Sequence, residues 1–147
     1  MKTIKAASIY FLVILALLAS TLAGCAPQVV KVEGAEADAV LQYTESMADT
    51  VFAAINAGDY AAFTKDMDEQ MKKAMPESSF TSMLKTLEKV GKYQSRTVDH
   101  IEKVQNYNVV VYNAKFEQDT VTVRLTFNQA DPHLVSGLWF TSPKLAK

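Results

Sequence analysis

The apolar residues of this chain change period once, near Tyr93, from a helical spacing to a two-residue alternation. Before that point Val40, Tyr43, Met47, Val51 and Ile55 recur at three- and four-residue steps, which places them on one face of a helix of about five turns. Asn56-Ala57-Gly58-Asp59 ends it, because Gly58 suits a left-handed C-terminal position and Asp59 can cap the next helix. Tyr60, Phe63, Met67 and Met71 continue the period and predict that second helix. Pro76 and Glu77 open a third, with Phe80, Met83, Leu84 and Leu87 on its inner stripe and Gly91 beyond its end. After Tyr93, Val121, Val123, Leu125 and Phe127 alternate with Thr120, Thr122, Arg124 and Thr126, the rhythm of a strand with one buried face. Asn108 to Phe116 is β-rich and separated from it by three residues, so the two predict a hairpin. Leu134 to Thr141 adds a strand in which Gly137 marks a bulge or bend, and Tyr93 to Val104 makes a longer, more polar one. Helices and then a meander of about four strands define an α+β fold, three N-terminal helices packed on an antiparallel sheet.

Ahead of this domain stand Lys2 and Lys5, an apolar run from Ile9 to Ala19, and Leu22-Ala23-Gly24-Cys25. A basic start, an apolar middle and small residues before a cut form a secretory signal over residues 1–24. Only 18 residues separate Lys5 from Gly24, several of them polar or small, against about 20 for a bilayer span. Residues 25–36 read as a tether with Pro27 at its start and Gly34 at its end, about 35 Å at full stretch over ten residues. Residues 37–147 form the single α+β domain.

The run Leu22–Cys25 resembles a prokaryotic lipobox. That resemblance implies cleavage between Gly24 and Cys25, a thioether-linked lipid on Cys25, and attachment to the cell membrane or outer membrane on its extracytoplasmic face. Two or more acyl chains anchor stably where one is marginal. Cys25 is the single cysteine, so lipidation leaves no thiol for a disulfide or a nucleophile. The chain has 15 basic and 16 acidic residues, and loss of Lys2 and Lys5 leaves 13 basic residues. A mildly acidic domain without a basic cluster argues against nucleic acid as a partner.

Three segments carry a second resemblance: Asn56-Ala57-Gly58-Asp59-Tyr60, Gly91-Lys92-Tyr93, and Leu134-Val135-Ser136-Gly137-Leu138-Trp139-Phe140. Together with the element order they resemble the domain of unknown function 3887 family over residues 37 to 141. Leu87 and Val90 stand where members often carry a tryptophan. The resemblance implies a curved, cone-shaped fold of the cystatin-like, nuclear transport factor 2-like group and an accessory or binding module. Sheet-to-sheet dimers are common in that wider group, so it also implies a homodimer.

No spacing in the chain names a reaction, a cofactor or a metal. His100 shares a strand face with Glu102 but not with Asp99 under strict alternation, and two ligands do not make a site. His133 comes after Pro132 in a turn, and a surface position explains both histidines. Asp66, Asp68 and Glu69 read as a solvated helix face, with Asp68 to Lys72 and Glu69 to Lys73 as four-residue pairs. Met47, Met67, Met71 and Met83 fall on inner stripes. Val135-Ser136-Gly137 lacks the first glycine of a hydrolase elbow. The residues support two functional readings. In one, the chain is a non-enzymatic, lipid-anchored binding or assembly module that engages an envelope protein or a second copy through a sheet patch of Tyr107, Val109 and Val111. In the other, an interior pocket lined by Phe63, Tyr112, Phe116, Arg124 and Trp139 takes a small apolar ligand or does isomerase- or hydratase-like chemistry. Such chemistry needs a buried ionisable group, for which Tyr112 with Asp99 is the candidate pair.

Overall fold

The first helix, α1, runs from Gly34 to Ala57 and lies across one face of the sheet. The structure is a computed structural model that describes residues 27–146, so the signal segment, Gly24 and Cys25 lie outside the described residues. The α1 residues most deeply buried are Thr44, Ala48, Val51 and Phe52, while Tyr43 and Met47 pack at the border of the core. Small side chains at Thr44 and Ala48 let the helix approach the sheet closely. Gly58, at φ 66°, closes α1 and returns its N–H to the carbonyls of Ala54 and Ile55. Only a residue comfortable at positive φ ends a helix this way.

The expected second helix is two short ones, α2 from Tyr60 to Thr64 and α3 from Glu69 to Ala74. Asp59 accepts from the Ala62 N–H at 3.0 Å and caps α2, and Asp68 accepts from the Met71 N–H at 2.7 Å and caps α3. Between them the backbone leaves the helix to meet the last strand. The Asp68 N–H donates to the Val135 carbonyl and the Val135 N–H to the Asp66 carbonyl, both at 2.9 Å. Met67 is wholly buried at that junction. The next helix, α4, spans Glu77–Leu87 with Pro76 at its cap position, and Phe80 and Leu87 face the core.

Five strands form one antiparallel sheet in chain order, the last four of them a meander: β1 (Val29–Val32), β2 (Tyr93–Val104), β3 (Tyr107–Phe116), β4 (Thr120–Asn128) and β5 (Val135–Thr141). The α+β class is therefore as the periodicity predicts, with one strand more. That strand, β1, falls inside the stretch expected to be a tether. Four residues are too few to display an alternation, and only Val32 is buried, while Val29 and Val30 are exposed. It pairs along the edge of β2, Val32 opposite Ile101.

The core lies between α1, the short helices and one sheet face. Val110, Tyr112, Ala114 and Phe116 of β3 and Val121, Val123, Leu125 and Phe127 of β4 point into it. Phe52 stacks on Tyr93 with ring centroids 4.3 Å apart, and Phe63 meets Phe80 at 4.5 Å. Every residue of this core lies between Val32 and Leu138, so the part of the chain after Cys25 carries a self-contained core. At one corner, two of the segments behind the family resemblance meet. The Asn56 amide donates to the Tyr93 carbonyl at 2.8 Å and accepts from the Tyr93 N–H at 3.0 Å, standing in for a strand partner at the start of β2.

Candidate functional site

Strand alternation gives the sheet a second face that no helix covers. Cross-strand register lays its side chains in rows: His100, Val111, Arg124 and Trp139 in one, and Glu102, Val109, Thr126 and Gly137 in the next. Arg124 reaches from β4 across β3 to Glu102 on β2, Nη2 to Oε2 at 2.6 Å. The pair roofs Val109 and Val111, which are only 5 % and 2 % exposed. The expected apolar patch of Tyr107, Val109 and Val111 is therefore not an exposed one, because long polar side chains from the flanking strands lie over the valines.

Beside this roof runs a groove of about 430 Å³. Val109 and Thr126 form its floor, Val104 and Tyr107 one wall, and Trp139 and Thr141 the other, with Arg124 at its side. Trp139 is 56 % exposed. A Cβ on Gly137 would overlap the Trp139 ring, so the indole lies flat along β5 over Gly137. The register slips between Thr126 and Phe127, opposite Gly137 and Val135, which puts the bulge expected from Gly137 at Ser136.

A line of charge continues from Arg124. Glu102 gives its other carboxylate oxygen to His100 Nε2 at 3.0 Å, and His100 Nδ1 meets Asp99 Oδ2 at 2.6 Å. Strict alternation places Asp99 on the opposite face from His100. The structure brings them together because β2 slips register between Val98 and His100, and the bulge turns Asp99 back toward its neighbour. Asp99, then Glu102, hold the His100 pKa above its ordinary value. Burial pushes Glu102 upward, but Arg124 and His100 outweigh it and hold the carboxyl below its usual range. His133, expected as a plain surface residue, instead stacks on Tyr43 with centroids 4.0 Å apart.

The five residues that the interior-pocket alternative groups do not come together, and Arg124 lies away from the helices, as the β4 alternation favours. Phe63, Tyr112 and Phe116 are buried core, while Arg124 and Trp139 stand on the opposite side of the sheet. The reason is parity: even-numbered β3 positions face the helices, as do odd-numbered β4 positions, and Arg124 and Trp139 have the other parity on their strands. Nor does Tyr112 meet Asp99. Its hydroxyl donates to Glu45 Oε1 at 2.9 Å, and burial together with that carboxylate pushes its pKa upward. Arg96 lies over the rings of Phe52 and Tyr112 at 5.5 and 5.2 Å and binds Glu45 and Asp49 of α1. This buried cation ties β2 to α1 and keeps the interior closed at that point.

The acidic trio also differs from its reading. Asp68 does not pair with Lys72, since its carboxylate caps α3 and accepts from Ser136 Oγ and Asn128 Nδ2. Burial raises its pKa, and those bonds outweigh the burial and lower it. Lys72 binds Glu69 instead, at 3.2 Å. Sequence reasoning missed Glu102 as the centre of the charged line, and Val104 and Thr141 as groove residues. Cross-strand register was the missing signal, because it decides which odd and even positions share a row. Among the described residues, no group of three or more histidine, cysteine or acidic side chains is placed to hold a metal ion.

Helices on one face and a grooved, uncovered sheet on the other define an α+β domain. Residues 48–131 match the family described as protein of unknown function (DUF3887), and the chain belongs to that family. Neither the curated proteins nor the solved structures contain a match to it.

Proposed function

We propose that this chain is a lipid-anchored, extracytoplasmic binding module whose working surface is the groove on the uncovered sheet face. The observation that carries the reading is Trp139, a large aromatic ring left exposed beside Arg124 over a formed groove. Pockets of about 300–1,000 Å³ with apolar walls and a few polar groups are the usual form of a small-molecule site. The signal layout and the lipobox resemblance at Leu22–Cys25 support the anchor. The helix-then-meander order supports a place in the cystatin-like, nuclear transport factor 2-like group.

The test has two arms. Cells expressing the full chain and fed labelled palmitate should label the wild-type protein and leave Cys25→Ser unlabelled; an unlabelled wild type overturns the anchor. Native mass spectrometry of residues 26–147 should show a small molecule retained by the wild type and lost on Thr126→Trp, which fills the groove floor. A ligand retained equally by both moves the site elsewhere. An empty dimer that shields Trp139 from acrylamide quenching assigns the face to a second copy.

A further inference from the structure

The groove holds one charged side chain, Arg124, and that charge is only partly used. A guanidinium carries five N–H donors. Among the described residues its polar partner is Glu102. Glu102 divides its two oxygens between Arg124 and the His100 ring, whose other nitrogen meets Asp99. The remaining Arg124 donors stand at the edge of the groove, where the side chain is 40 % exposed.

The rest of the groove is apolar or neutral. Val104, Val109, Tyr107 and Trp139 offer hydrocarbon and ring surface, and the two threonines offer hydroxyls without charge. A ligand that fits therefore has an apolar body and one anionic end. Planar carboxylate matches the planar donor fork of a guanidinium in a two-point contact. A phosphate dianion would call for more than one cation, and a cationic head would meet Arg124 as a like charge. Resting on the reading of this groove as the binding site, we propose that it takes a small amphipathic carboxylate, with the carboxylate on Arg124 and the apolar chain laid between Trp139 and Tyr107.

Trp139 is the only tryptophan in the chain, so all tryptophan emission comes from this groove wall, which also borders a second cavity beside Met75, Met83 and Leu138; the Arg124 variants tell the two apart. The experiment titrates residues 26–147 with octanoate, octylammonium, octanol and acetate, all as monomers. Octanoate should shift the emission to shorter wavelength and saturate. Octylammonium and octanol should bind at least tenfold more weakly, and acetate should leave the emission unchanged. Arg124→Gln should lower octanoate affinity about tenfold, while Arg124→Lys, which keeps the charge, should recover part of it. On the unaltered protein, saturation of the Trp139 indole should transfer to the octanoate chain, which tests the contact without any variant.

Equal affinity for the three eight-carbon compounds overturns the carboxylate and leaves a plain apolar groove. Octanoate binding that spares Trp139, or that Arg124→Gln does not weaken, overturns the placement. No response to any of the four, with a ligand still seen by native mass spectrometry, overturns the proposed class while the binding-module reading stands. A missing palmitate label bears on the anchor and leaves the groove chemistry untouched.

Discussion

At the scale of single residues, His100 shows how little of a side chain's role comes from its type. Its neighbours Asp99 and Glu102 are visible in the sequence, but the bulge that turns Asp99 toward it is a property of two paired strands. Folding raises the His100 pKa. The stabilisation from this line is therefore complete below the unfolded value of about 6.5 and fades as pH rises through the folded value. Asp99 and Glu102 have lowered values, so their share is present above about pH 4.5 and is lost only in stronger acid. We expect the His100 ring resonances to titrate with a midpoint above 6.5, the ordinary histidine value. We also expect the melting temperature lost on His100→Gln to be largest near about pH 5.5 and to shrink by about pH 8.5. A difference that grows toward alkaline pH would contradict the geometry. Arg96 makes the complementary point, since nothing in a polar strand distinguishes it from Arg124, yet it is buried under α1 while Arg124 faces the groove.

At the scale of elements, strong periodicity was readable and its interruptions were not. The apolar spacing at Val40 to Ile55 and the alternation at Val121 to Phe127 each became the expected element, because each buries a long stripe. Tyr60 to Met71 kept the same spacing but broke into α2 and α3. There, the backbone of Asp66 to Asp68 pairs with Val135, a partner 67 to 69 residues away that no local pattern reveals. Asp68 is the hinge of that break, joining the first turn of α3 to Ser136 and Asn128. Asp68→Ala should cost about 2 kcal/mol, the sum of a helix cap and a charge-assisted hydrogen bond. Asp68→Asn, which can still cap, should cost less. Chemical denaturation of the two variants measures the difference, and equal stability of wild type and Asp68→Ala would show that water replaces these contacts at no cost.

At the scale of the whole molecule, the sheet's two faces divide the labour. One holds the core, and the other carries the groove, with its valines already roofed. The site itself was only partly legible: Arg124 and Trp139 were singled out, but with core residues that lie behind the sheet from them. The alternation of β4 already turned Val121 to Phe127 toward the helices and left Arg124 on the other side; what it did not show is that Trp139 stands there beside Arg124. The short strand β1 also escaped notice, and it completes the fold by covering Ile101 at the edge of β2 with Val32. Removing residues 27–32 should therefore destabilise the domain by about 2 kcal/mol or more, the order of one buried valine and the edge it protects. Thermal denaturation of the shortened chain checks it, and an unchanged midpoint would make β1 ornamental to stability.

If Cys25 carries the proposed lipid, that strand has a further consequence. Val29 begins β1 four peptide steps after Cys25, so a lipid on Cys25, as proposed, would lie within about 14 Å of the sheet, where a ten-residue tether would give more than twice that reach. So short a reach would hold the β1 edge near that lipid. Val29 is paired with Val104, whose side chain walls one end of the groove. On the same proposal, a molecule leaving the bilayer would meet that end of the groove one strand's width, about 5 Å, beyond β1.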